Sequence, residues 1–146
     1  MKRFIAVFAA VLITGVAINV SAGPKLDKVT CPVSGKKVLA DKTADYKGGK
    51  VYFCCPNCPG AFAKATAKFA AKANHQLAQT GQFTQVKCIF KGTAINPTKT
   101  CDVAGVKVGL CCGGCQGKLS KAEDKVALAF SDTAFTKGFA KVKAKK

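Results

Sequence analysis

Histidine, arginine and acidic residues are scarce in this sequence, and each shortage removes a class of function. There is one histidine, His75, against seven acids in 146 residues. A Ser/His/Asp arrangement needs a histidine placed between nucleophile and carboxylate, and the acids form no evident dyad, so the residue supply argues against hydrolytic catalysis and for a non-enzymatic chain. Arginine occurs only as Arg3. Nucleic-acid readers rely on arginine forks and stacking aromatics beside a basic patch, and the lysines here have neither. The net charge of +17 therefore reads as lysine spread over solvated helix faces rather than as a nucleic-acid surface.

What the chain does carry begins with an export pattern. Lys2 and Arg3 precede an apolar run from Phe4 to Val20, and Val20-Ser21-Ala22 supplies a small-residue cleavage site. Residues 1–22 are read as a signal peptide, with an uncleaved membrane anchor as the rival. The mature chain would be periplasmic or secreted. Removing Lys2 and Arg3 from the 24 cations leaves 22 lysines against 7 acids. Membrane contact is then expected only through an uncleaved signal or the basic tail Lys141 to Lys146.

Cysteine is abundant: there are nine, all after the signal. Eight of them follow one pattern written twice. Cys31 lies 23 positions before Cys54, Cys88 lies 23 before Cys111, and Cys58 and Cys115 each follow four later. A shift of 57 residues overlays Cys31, Cys54, Cys55 and Cys58 on Cys88, Cys111, Cys112 and Cys115. The same shift matches Gly35 with Gly92, Asp45 with Asp102, Gly48 with Gly105 and Lys50-Val51 with Lys107-Val108. This is an internal duplication, and units of such size usually need a metal or a disulfide as a staple.

In the first unit, Cys31-Pro32-Val33-Ser34-Gly35 reads as a tight turn of the zinc-knuckle kind, with Gly35 at positive φ. Lys37-Val38-Leu39 reads as a short strand. Ala44 to Tyr46 and Val51 to Phe53 read as a hairpin turning through Gly48-Gly49, the second strand delivering Cys54 at its end. Asn57 to Gln79 reads as one helix with Phe62, Thr66, Phe69, Ala73 and Leu77 on one stripe and Cys58 in its first turn. Gly81 stops it, and Gln82 to Lys87 is a linker. The second unit repeats the plan: Cys88 to Gly92 as knuckle, Val103 to Val108 as hairpin, and a helix from Cys115 with Leu119 and Val126 inside. Val126 to Phe130 fits either more helix or a strand. Ser131 or Asp132 caps a last short helix, with Phe135, Phe139 and Val142 facing the core.

Thiols gathered by a knuckle, a strand end and a helix start suit a soft metal ion: zinc in tetrahedral thiolate coordination, or copper(I) at lower coordination number. The helix N-terminus is expected to stabilise thiolates in that turn. The pattern Cys31-x22-Cys54-x3-Cys58, with Tyr46, Gly48, Tyr52-Phe53 and Phe62 around it, resembles the TRASH and YHS group of treble-clef metal-binding domains, and Cys88-x22-Cys111-x3-Cys115 resembles a diverged copy. The resemblance implies a small α+β fold of two tandem treble-clef-like units, residues 23–81 and 82–146, each a knuckle, β-hairpin and α-helix. It also implies zinc or heavy-metal binding at Cys31, Cys54 and Cys58 and at Cys88, Cys111 and Cys115, about one ion per unit. The group is implicated in sensing, trafficking or resistance to copper and other soft metals, which makes an envelope metal-handling protein the expected partner besides the ion.

The chain departs from four-cysteine relatives at Ser34 and Lys91, where they carry a second knuckle cysteine. Either three thiolates leave an open or trigonal site, or Cys55 and Cys112 close a four-thiolate one. His75 is not expected to contribute, because a continuous helix puts it about 25 Å along the axis from Cys58; it is read as an exposed helix residue. Cys101 has no counterpart in the first unit and reads as a buried small residue, a free thiol or an intermolecular bridge. Two rivals remain. Cys55-x-x-Cys58 and Cys112-x-x-Cys115 also fit a thiol oxidoreductase, although no βαβ pattern accompanies them. An exported chain also suits a disulfide-stapled structural or interaction module without metal.

Overall fold

The computed structural model describes residues 25–143. The expected signal peptide at residues 1–22 and the last three residues of the basic tail lie outside them. The described residues form a small α+β structure whose elements recur at the spacing of the sequence repeat. Strand β1 (Leu39–Tyr46) pairs antiparallel with β2 (Gly49–Phe53), followed by helices α1 (Asn57–Lys64) and α2 (Thr66–Gln79) and strand β3 (Phe83–Gln85). Then β4 (Asn96–Val103) pairs with β5 (Val106–Leu110), followed by α3 (Gly113–Ser120), α4 (Lys125–Ala129), α5 (Asp132–Gly138) and β6 (Phe139–Lys141). Among the described residues no helix is long and apolar enough to cross a membrane.

The knuckles have matching backbone bonds. Cys31 N–H donates to Lys36 O at 2.7 Å and Gly35 N–H to Cys31 O at 2.8 Å; Cys88 donates to Thr93 O at 2.9 Å and Gly92 to Cys88 O at 2.8 Å. The hairpins turn through Lys47-Gly48 (φ 52° and 78°) and Ala104-Gly105 (φ 50° and 83°), two-residue turns with both residues left-handed. The first turn therefore sits one residue before the expected Gly48-Gly49 pair, and Gly49 opens β2 instead. A Cβ there would lie 2.7 Å from Leu77 Cδ2 and 2.9 Å from Gln82 Oε1, so a larger residue would displace those two side-chain ends.

Four local expectations are corrected. The helix over Asn57 to Gln79 breaks at Ala65 (φ −140°, ψ 44°), and the Thr66 hydroxyl donates to the carbonyl of Phe62 at 2.9 Å beside the break. The linker Gln82 to Lys87 contains β3, which pairs antiparallel with β6. Val126 to Phe130 neither extends α3 nor becomes a strand: α4 is a separate turn of helix, capped by the Asp124 carboxylate accepting from Ala127 N–H. Val142 is 45% exposed, whereas Phe135 and Phe139 are buried. The Ser131 cap is present, its hydroxyl accepting from Ala134 N–H.

One apolar cluster contains Phe53, Phe62 and Leu77 from the first repeat with Leu110, Leu119, Phe130 and Phe135 from the second. Polar bonds cross the same boundary. Asn74 Nδ2 donates to the Phe130 carbonyl at 2.9 Å, and the Asp132 carboxylate accepts from Asn74 Nδ2 at 2.9 Å, Lys47 Nζ at 2.7 Å and Tyr46 OH at 3.2 Å.

Candidate metal centre

Each thiol is carried by a different local structure. Cys31 and Cys88 begin the knuckles, Cys54 and Cys111 follow directly on β2 and β5, and Cys58 and Cys115 lie in the first turns of α1 and α3. The aromatic frame fixes the first arrangement: the Phe62 ring is 5.5 Å from Phe53 and 5.3 Å, edge-on, from Tyr46. Consequently the sulfurs of Cys31, Cys54 and Cys58 all lie within 4.8 Å of one another, as do those of Cys88, Cys111 and Cys115. In both groups the knuckle and helix thiols are buried.

The donor set fits a soft ion. Tetrahedral zinc with thiolates at about 2.3 Å requires sulfurs about 3.8 Å apart. The Cys54 to Cys58 and Cys111 to Cys115 separations are both 3.7 Å. Cys31, Cys54, Cys58, Cys88, Cys111 and Cys115 would hold the ions, and an ion there would neutralise thiolate charge that the buried positions otherwise disfavour.

Cys55 and Cys112 fall outside these two groups but touch them. Cys55 Sγ is 3.1 Å from Cys58 Sγ, and Cys112 Sγ is 3.7 Å from Cys111 Sγ. Ser34, in the first knuckle, places its hydroxyl 3.0 Å from Cys54 Sγ. All nine cysteines are free thiols in this structure. Cys101 joins neither group; its thiol faces the Asp102 carbonyl at 3.7 Å.

The electrostatics reverse one expectation. The thiol in the helix turn is not the stabilised thiolate: donation to Cys55 and then burial push Cys58 well above the ordinary thiol value, and burial followed by donation to Cys111 pushes Cys115 up to about 12. The helix-start N–H groups act instead on the thiols one turn earlier. Cys112 is held down at about 7 by the Cys115 N–H and thiol, and Cys55 is lowered by the Cys58 thiol and N–H. Burial raises Cys31 and Cys88, but the N–H groups of Ser34 and Val33, and of Lys91 and Phe90, outweigh it and hold both at about 7. Each cluster thus combines thiols whose ionisation is favoured by N–H groups with one buried thiol whose ionisation is opposed.

His75 is not exposed, contrary to the sequence reading. Its Nε2–H donates to the Val103 carbonyl at 3.2 Å, and its ring lies edge-on to Phe130 at 4.9 Å. It serves contact between the repeats and belongs to neither thiol group. Burial depresses its pKa, against the opposing Val103 and Ala104 backbone bonds. A depressed folded value means full stability above the unfolded value of about 6.5 and loss as pH falls below it. The urea midpoint should drop between neutral pH and pH 5 by more in wild type than in His75→Gln; equal drops would remove His75 from the linkage.

Three glutamines pair with backbone, and no motif or spacing announces them. Gln82 receives the Lys50 N–H at 2.6 Å and donates to its carbonyl at 2.7 Å, and Gln76 and Gln85 do the same for Tyr52 and Gly109. Each side-chain amide acts as a one-residue strand along the open edge of a hairpin. No protein-family model, no curated protein and no solved structure matches this chain.

Proposed function

We propose that this chain is an exported, non-enzymatic metal-binding protein of two tandem TRASH/YHS-like treble-clef units, residues 23–81 and 82–146, each holding one soft ion, zinc or copper(I), through cysteine thiolates for envelope metal handling. The observation that carries the reading is the duplicated thiol cluster: two groups of three sulfurs within 4.8 Å, each with a 3.7 Å edge. Cys55 and Cys112 complete the sites from the rim. The export pattern of residues 1–22 supports work outside the cytoplasm, where an envelope metal-handling partner would give or receive the ion.

A second reading has one specific support. Cys55 and Cys58 sulfurs lie 3.1 Å apart with the Cys55 thiol lowered, which suits dithiol chemistry. One experiment separates the two. A native mass spectrum of the mature protein purified without reductant should exceed the reduced, metal-free mass by two ions. A loss of two hydrogens per bridge with no ion bound would replace this proposal with the oxidoreductase or the disulfide-stapled module.

A further inference from the structure

Gln76 and Gln85 make the same three bonds in the two repeats. Gln76 accepts from the Tyr52 N–H at 2.6 Å and donates to the Tyr52 carbonyl at 2.9 Å and the Thr30 carbonyl at 3.1 Å. Gln85 accepts from the Gly109 N–H at 2.7 Å and donates to the Gly109 carbonyl at 2.7 Å and the Lys87 carbonyl at 2.9 Å. Thr30 and Lys87 immediately precede the knuckle cysteines Cys31 and Cys88; Tyr52 and Gly109 stand two residues before Cys54 and Cys111. Each glutamine thus ties together the two arms that deliver thiols to one cluster.

The glutamines are not repeat equivalents. The position 57 residues after Gln76 is Thr133, and the second set of bonds is made by Gln85, nine residues after Gln76. Both side chains therefore belong to one stretch, the end of α2 and the strand β3. Gln76 is 1% exposed, and β3 is held by β6 across three residue pairs. A displacement of this stretch that loosens one cluster must move the clamp of the other.

The geometry points to Gln76 and Gln85 as positioning residues that tie both thiol clusters to one strut, so that the sites take up their ions as a coupled pair. This rests on the metal-binding reading above. An ion that draws Cys31 and Cys54 together fixes Tyr52 and Thr30 around Gln76, and through the shared stretch it orders Gln85 around Gly109 and Lys87 before the second ion arrives. Ordering already done lowers what the second event must supply, and the coupling is reciprocal.

Stepwise zinc titration of the metal-free mature chain, followed by native mass spectrometry, tests this. Independent equal sites leave about half the chains singly loaded at half saturation, and unequal ones leave more. The coupled pair leaves fewer. Gln85→Leu, at a half-buried position, should weaken one loading step about tenfold, the scale of losing a supporting bond behind a metal ligand, and raise the singly loaded fraction. Gln85→Glu keeps only the acceptor for Gly109 and should fall between. Singly loaded chains at half or above in wild type, or two unchanged loading steps in a Gln85→Leu chain that merely melts earlier, would overturn the proposal while leaving metal binding intact. Absence of any zinc uptake by wild type would overturn both.

Discussion

Replacing Phe130 by alanine is expected to lower the unfolding free energy by about 3–5 kcal/mol, the usual cost of emptying a buried phenylalanine site. Phe130 has no exposed surface, and its ring stands 4.9 Å from His75 and 5.4 Å from Phe139. It therefore fills the space between α2 of the first repeat and the C-terminal strand of the second. The neighbours cannot collapse into the gap easily, because Asn74 already fixes the Phe130 carbonyl and His75 fixes Val103. Since small domains have only about 5–15 kcal/mol in total, the loss should be a large fraction of the whole. Urea unfolding of the zinc-loaded chain checks it. A loss below about 1 kcal/mol, of the order of an ordinary surface substitution, would mean that the C-terminal elements do not close the core.

The parts of this fold that were legible in the sequence are those specified by neighbours in the chain. Cysteine spacing placed three thiols per cluster at a turn, a strand end and a helix start. Glycines at 48 and 105 marked the hairpin turns, and Ser131 marked a cap. The parts that were not legible depend on partners far away. Phe83-Thr84-Gln85 is too short and polar to read as a strand, and becomes one only because Phe139 to Lys141 returns beside it. Helix periodicity assigns His75 to the solvent side, yet it is half-buried, because the backbone carbonyl of Val103 comes to meet it, just as the Tyr52 carbonyl meets the buried Gln76. The break at Ala65 has no proline or glycine to announce it. It turns the chain between the Cys58 turn and the clamp at Gln76, so the distance argument from a continuous helix no longer applies, although His75 belongs to neither thiol group.

The break has a consequence for the site. Because α1 is a separate short helix, Cys58 is placed by its own packing through Phe62 against Phe53 and Tyr46, while α2 is free to run across to the second repeat. The cluster is thus built locally and supported remotely, which is why three thiols at chain separations of 23 and 4 arrive within 4.8 Å.

Cys58→Ser and Cys55→Ser should separate the buried set from the rim. Structural zinc held by thiolates is worth about 10–16 kcal/mol, so one ligand of three or four carries about 3–5 kcal/mol. At about 1.4 kcal/mol per decade, Cys58→Ser should weaken the first-site ion hundreds- to thousands-fold, whichever ion is used. Cys55 differs in geometry: its sulfur is 3.1 Å from Cys58, shorter than the tetrahedral edge of about 3.8 Å, so it must swing outward to take a fourth position. Zinc gains from that fourth thiolate, whereas copper(I) is satisfied by three. Cys55→Ser is therefore expected to cost zinc about tenfold or more, on the scale of a partly compensated ligand, and copper(I) less than about threefold. Competition with a chelator of known affinity, run in parallel with both ions under reducing conditions, reads the two values. Equal large losses would place Cys55 among the obligatory ligands for either ion; no loss with zinc would leave three-thiol sites and direct the proposal toward copper(I).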